Sequence, residues 1–204
     1  MSPRGLAPVS LVLALTLAGC TMTTALDVGY PEQGANRALL ASAGPRRVQI
    51  GDVVDHRMET ARVGTKAKDG GDIVTSRSVV DIVREALGVE MSKNRHVLVS
   101  DRPDVLLTAA VEVFRLDTLQ GYRRLQYVGE IIIALTVADG STGDTLLTRR
   151  YVGIRRRDVD KPDESQWREV LDTALARAMH DLATDPALVA AVGGSRAPSA
   201  RPAT

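Results

Sequence analysis

Alternation of apolar and polar positions with a period of two runs through the middle of the chain, and it is clearest in two segments. From Val105 to Val113 the residues Val105, Leu107, Ala109, Val111 and Val113 fall on one side, with Thr108 and Glu112 on the other. From Val128 to Ala138, Ile131, Ile133, Leu135 and Val137 oppose Glu130 and Thr136. Such alternation predicts strands that bury one face and wet the other. The cluster Asp139-Gly-Ser-Thr-Gly143 predicts a turn into a third strand over Thr145 to Ile154, so the three form an antiparallel meander. Before them, Arg47 to Val54 alternates as a strand with Gly51 marking a bulge, and His96 to Ser100 reads as a short strand.

Two segments change to helical spacing. Ser78 with Asp81 three residues on is an N-cap pattern, and Val79, Val80, Val83, Ala86, Leu87 and Met91 follow as an apolar stripe ending near Asn94. Pro162-Asp163 opens a second helix, striped by Trp167, Leu171, Ala174, Leu175, Ala178 and Leu182. The predicted class is α+β. An antiparallel or mixed sheet of about five strands, in the order β-α-β-β-β-β-α, carries both helices on one face, and the first strand can pair in parallel across the helical crossover. The segment Asp55 to Asp72 has charge, glycines and few apolar residues, which predicts a long surface loop or irregular hairpin.

The ends of the chain read differently. Leu11 to Ala18 is apolar, follows Arg4, and is too short to span a bilayer, as in a secretory signal. It ends in Leu17-Ala18-Gly19-Cys20, which resembles the lipobox of bacterial lipoproteins. That resemblance implies that residues 1–19 are removed and that Cys20 carries a diacylglyceryl anchor. Residues 20–45, with Pro31, Gly34, Gly44 and Pro45, predict a flexible tether with a reach of about 25–30 Å. A single domain then covers residues 46–185, and residues 186–204 thin into a Gly/Pro/Ala/Ser tail expected to be disordered.

Composition narrows the functions. The chain has 26 basic and 25 acidic residues, and only Arg4 precedes Cys20, so the mature chain is formally neutral. Neutrality speaks against a nucleic-acid partner, which needs a basic surplus. Cys20 is the only cysteine, so no intrachain disulfide is possible and the fold stands on packing.

Candidate chemistry is sparse. His56, His96 and His180 lack metal-ligand spacing, so no metal or other cofactor is called for. The loop Gly64 to Gly71 lacks the Gly-Lys-Ser/Thr ending of a phosphate loop, and Asp139 to Asp144 lacks the spacing and final glutamate of a calcium loop. Catalytic residues are not expected, and the competing reading is an envelope hydrolase of peptidoglycan or lipid using Asp55, His56 and Glu130. The most unusual feature is arginine-rich: Arg149, Arg150, Arg155, Arg156 and Arg157 are candidates for contact with an anionic lipid or an envelope protein. The same residues also suit an edge strand protected from aggregation by charge.

The run Asp72-Ile-Val-Thr-Ser-Arg-Ser-Val-Val-Asp-Ile-Val-Arg-Glu-Ala-Leu-Gly88, the strand Asp104 to Thr118 and Tyr151-Val-Gly153 before a final helix resemble the YajG-type lipoproteins of Gram-negative bacteria. The resemblance spans about Cys20 to Leu182. It implies an outer-membrane lipoprotein facing the periplasm, and no catalytic residue comes with it.

Overall fold

In the computed structural model, residues 22–30, 39–67, 70–121, 124–160 and 163–194 are described. The signal segment, Cys20 and the end of the tail lie outside them. Eight strands form one mixed sheet, with three α-helices and a 3-10 turn at Leu39–Ala43. The strands are β1 (Thr24–Leu26), β2 (Arg47–Asp55), β3 (Gly64–Thr65), β4 (Asp72–Thr75), β5 (Val97–Leu98), β6 (Val105–Gln120), β7 (Leu125–Asp139) and β8 (Thr145–Val159). The helices are α1 (Val79–Lys93), α2 (Glu164–Ala183) and α3 (Pro186–Val192).

The meander β6–β7–β8 is the frame. Both of its interfaces are antiparallel and run nearly the full strand length, from Val105↔Asp139 to Gln120↔Leu125 and from Leu125↔Val159 to Ala138↔Thr145. On its other side β6 pairs in parallel with β2 over Val105 to Val111, then with β3 at Leu116. The parallel β2–β6 pairing across α1 is the crossover that the strand order predicts. The segment between Asp55 and Asp72 forms the short antiparallel β3–β4 pair, so the hairpin alternative for that loop holds.

Alternation holds in β7, where Ile131, Ile133, Leu135 and Val137 are fully buried. In β6 it breaks. A bulge between Val111 and Val113 makes Glu112 an extra residue, so Val113 turns outward while Phe114 and Leu116 point into the core at 1% exposure. A bulge puts two residues opposite one and reverses the parity beyond it, which is why period-two counting assigned Val113 to the wrong face. A second irregularity lies between Ile50 and Val53 of β2, around Gly51.

Both long helices start where their caps dictate. Ser78 accepts from the Asp81 amide, and Asp163 accepts from that of Ser165. They pack on one face of the sheet, where α2 buries Trp167, Leu171, Ala174, Leu175, Ala178 and Leu182. Contact between α2 and the meander is unusually close because of missing side chains. A Cβ on Gly153 would lie 1.9 Å from the Ala174 carbonyl oxygen, and one on Gly129 would lie 2.8 Å from a Val170 methyl. Tyr127 meets Trp167 edge-on at 6.0 Å between centroids.

The domain is longer at both ends than the sequence pattern predicts. Thr24–Leu26 pairs in parallel with Ile73–Thr75, within the segment read as a tether. Pro186–Val192 is a helix capped by Asp185, within the segment read as a disordered tail, and it buries Leu188, Ala191 and Val192. β1 is only three residues long and α3 is a seven-residue apolar run leading into a Gly/Pro/Ala/Ser stretch, so neither offers a period to count. Their order comes from contacts far away in sequence: Gly29 N–H donates to Asp172 at 3.0 Å, Tyr30 Oη donates to buried Glu90 at 2.5 Å, and α3 packs on the Leu39–Ala43 turn.

Where α1 ends, His96 is 4% exposed. Burial pushes its pKa below the usual 6.5, and the nearby Arg46 acts in the same direction. The Leu40 backbone favours the charged ring, yet neither ring nitrogen makes a hydrogen bond of normal geometry, so burial prevails and the folded state holds a neutral imidazole. Below pH 6.5 the unfolded chain binds the proton more readily, and stability must fall as pH drops through this region.

Two predictions follow from this packing. Gly153→Ala should lower stability by at least about 1–3 kcal/mol, the usual cost of overpacking, seen as a lower thermal midpoint, whereas Gly143→Ala in the open turn should owe its cost to backbone strain alone. His96→Leu should flatten the decline in thermal midpoint between about pH 7 and pH 5; an unchanged slope would show that His96 is not its source.

Candidate functional site

The arginine-rich strand is β8, and it lies at the edge of the sheet because, among the described residues, it pairs only with β7. Strand geometry divides its arginines between two faces. Arg149, Arg155 and Arg157 share the parity of buried Tyr151, Gly153 and Val159 and point to the helix side, while Arg150 and Arg156 point to the opposite face. The five therefore do not form one patch.

Three of them are engaged within the domain. Arg149 pairs with Asp185 at 3.2 Å, Arg150 reaches over β7 to Glu112 at 2.7 Å, and Arg157 pairs with Glu169 of α2. The crossing of Arg150 is possible because the β7 residue opposite it is Ala134, too short to block the path. Asp185 is only 8% exposed and joins several elements. It also accepts from Tyr151 Oη at 2.8 Å and caps α3, and burial together with this carboxylate pushes the Tyr151 phenol well above its usual pKa. Arg155 and Arg156 have no ion pair among the described residues; the Nε of Arg155 is buried without a partner, and Arg156 is exposed.

The free edge of β8 is itself obstructed. Arg177 of α2 donates to the Ile154 carbonyl, and Asp181, one helical turn on, accepts from the Val152 amide at 3.4 Å. These side chains occupy backbone groups that an added strand would use, so the edge is protected by helix side chains as well as by its own charge.

The residues of the hydrolase reading are not assembled into a catalytic set. Burial would push the Asp55 carboxyl up, but hydrogen bonds from the Arg57 side chain and backbone, and its charge, hold it below the usual carboxylate range. The two form an ion pair at 2.9 Å, while Arg57 also donates to the carbonyls of Thr60, Arg62 and Phe114. That guanidinium fills the gap on the β6 edge between β2 and β3. Glu130 is paired with Arg115 at 2.5 Å. His56 is exposed, and no hydrogen bond among the described residues joins it to Asp55 or Glu130. Among the described residues no group of three or more His, Cys, Asp or Glu comes together to hold a metal.

The sheet also has a face opposite the helices. No described element covers it. Its centre is apolar, with Val113, Ile132 and Val152 in line across β6, β7 and β8, and Ala110, Ala134 and Ile154 beside them. Val54 and Val152 are each 41% exposed and Ile154 is 36% exposed. Charges at its margins satisfy one another through Arg150–Glu112, Arg115–Glu130 and the Gln126–Asp158 hydrogen bond at 2.8 Å. Beside this face a groove of about 510 Å³ separates the loop after Arg57 from β6, with Val63, Val113 and Leu119 in its walls and a wholly exposed Met58 at its rim. A signal existed in the sequence: in β7 the outward positions Val128, Ile132, Ala134 and Ala138 are apolar, which a solvent-facing strand does not require.

Comparison with known proteins finds similarity of fold and not of sequence. The chain matches no family model, and no curated protein is similar to it in sequence at a significant level. Among solved structures it resembles a Xanthomonas campestris protein of the DUF330 family, at 12% identity and a TM-score of 0.54, covering 84% of this chain and 94% of that one. A minor lipoprotein from Acinetobacter baumannii aligns at 14% identity and a TM-score of 0.41, covering 76% of this chain and 96% of that one. A lipoprotein from Neisseria meningitidis aligns at 10% identity and a TM-score of 0.27, over 65% of this chain and 96% of that one. The first of these shows that the fold is shared with the DUF330 structure.

Proposed function

We propose that this chain is a YajG-type lipoprotein anchored through Cys20 in the outer membrane, facing the periplasm, and that it serves there as a binding or assembly accessory. The lipobox supports the anchor. Thr21 follows Cys20 where an aspartate would favour inner-membrane retention in enteric-type sorting. The observation that carries the binding role is the uncovered sheet face, an apolar centre ringed by charges that already satisfy one another. Such a surface suits an envelope protein with an apolar patch of its own, because a fully desolvated centre within a polar rim is the anatomy of protein interfaces. An anionic lipid surface would need unpaired cations, and on this face only Arg156 of the five candidates lacks an ion pair among the described residues.

Mass spectrometry of the mature N-terminus should show a diacylated Cys20 in the outer-membrane fraction; an unmodified thiol in the soluble periplasm would overturn the anchor. For the binding role, a photocrosslinker at Ile132 should capture a defined envelope protein from intact cells. Val152→Asp should weaken that capture at least about tenfold, since a desolvated unpaired carboxylate at an interface centre costs several kcal/mol. The same change should alter folding stability little, as an exposed substitution. Undiminished capture by that variant would remove the face from the interaction. Turnover of peptidoglycan or lipid by the purified protein, abolished in His56→Ala, would favour the hydrolase reading instead.

A further inference from the structure

The route of the chain out of its anchor leads to a surface with a definite orientation. β6 runs toward the turn before Leu125, β3 runs parallel to β6, β4 returns from the following turn, and β1 is parallel to β4. Thr24, the first residue of β1, therefore lies at the end of the sheet that holds the β3–β4 turn, the β6–β7 turn and the link from β8 into α2. Side-chain contacts agree with this placement: Thr24 Oγ1 approaches Glu164 at 3.4 Å, Lys66 approaches the same carboxylate at 3.8 Å, and Arg124 pairs with Asp160 at 3.6 Å.

Only Thr21, Met22 and Thr23 separate Cys20 from Thr24, and four peptide steps extend at most about 14 Å. β1 is held down where it stands. It is paired with β4, the Ser76 amide donates to Leu26 O at 2.8 Å, and Asp172 and Glu90 fix Gly29 and Tyr30 just beyond it. A diacyl anchor at Cys20 thus cannot let the domain stand 25–30 Å away, as the tether reading would have it.

The chemistry of this end suits an interface. Met22 is 73% exposed, Leu119 near the end of β6 is 53% exposed, and the Arg124 side chain is 69% exposed. Apolar side chains flanked by a cation are what an acyl–headgroup boundary accepts.

We propose that this end of the domain is a membrane-contacting surface, seated on the phospholipid bilayer with Met22 and Leu119 in the interfacial layer and Arg124 at headgroup level, where its exposed and therefore weak pair with Asp160 can be exchanged for a phosphate oxygen. The β7–β8 turn then points away from the membrane, and the uncovered sheet face stands upright for a partner to approach from the side. The inference rests on anchoring at Cys20, and its test supplies the anchor chemically so that the two can fail separately. The mature chain, beginning at Cys20, is coupled through that thiol to a maleimide phospholipid in vesicles of phosphatidylethanolamine and phosphatidylglycerol containing a dansyl headgroup acceptor. Trp167, the only tryptophan, lies in the first turns of α2 at the membrane end and is the native donor.

A Trp167→Phe, Thr145→Trp double variant moves the donor to the start of β8, roughly 40 Å away along the strands. Circular dichroism shows whether it folds, and Trp167→Tyr with Thr145→Trp is the alternative if it does not. Energy transfer should be several-fold stronger from Trp167 than from the moved donor. Met22→Ser with Leu119→Ser and Arg124→Glu should reduce it in the native-donor protein by letting the end lift and tilt. Equal transfer from both donors, or stronger transfer from the Thr145 position, would overturn the orientation, and no change in the triple variant would overturn the contact. An unmodified Cys20 in cells would sink the anchor while leaving the vesicle result intact.

Discussion

The approach of α2 to the β6–β7–β8 meander is the contact on which the rest of the molecule depends. It is made through what is missing: Gly129 and Gly153 have no Cβ, Ala174 and Ala178 carry only one carbon each, and backbone meets backbone at Gly153. Close packing of this kind gathers dispersion contacts and removes water over the whole length of the helix. It also fixes where the ends of α2 lie. From that position its N-terminal end meets Tyr127 and Thr24, its last two turns reach the β8 edge with Arg177 and Asp181, and the residues just past its end deliver Asp185 to Tyr151, Arg149 and α3.

A consequence is the two-sided character of the sheet. Everything with a helical partner is on one face, and a three-strand apolar band is left on the other. Apart from Arg156, the charges beside that band are paired with one another, which lowers nonspecific attraction to polyanions while leaving the centre able to be desolvated by a fitting surface. The edge strand is closed by α2 side chains, so association through the face is separated from association through the edge. A long antiparallel edge needs such a device to remain soluble at all.

The N-terminal segment sets how far the domain could stand from an anchor at Cys20, if Cys20 is lipidated as proposed. Its three-residue strand would have no stability alone, but Gly29 and Tyr30 find acceptors on α2 and α1, and burial of Leu26 and Val28 adds apolar contact. Docking the segment turns a long loose connection into a short stiff one. Under the proposed anchoring, the direction in which the uncovered face is presented would follow from topology.

By itself the sequence determined the α+β class, the three long strands, the cap and end of α1 and the start of α2, because these depend on local periodicity and on side chains within a few residues of one another. Ser78 caps α1 as its spacing from Asp81 requires, α2 opens at Asp163, and the β7 alternation is kept in full. Tertiary structure alone decided the rest. The Glu112 bulge reversed the faces of β6, since one inserted residue changes parity without leaving a mark in hydropathy. The five arginines stood out in the sequence as candidate partner contacts, but a strand sends alternate residues to opposite faces, and Asp185, Glu112 and Glu169, distant in sequence, claimed three of them. β1 and the apolar run of α3 were too short to show a period, and partners more than a hundred residues away ordered them. Short-range order is written in spacing, whereas register, face and the ordering of weak segments are set by long-range contacts that exist only once the chain has folded.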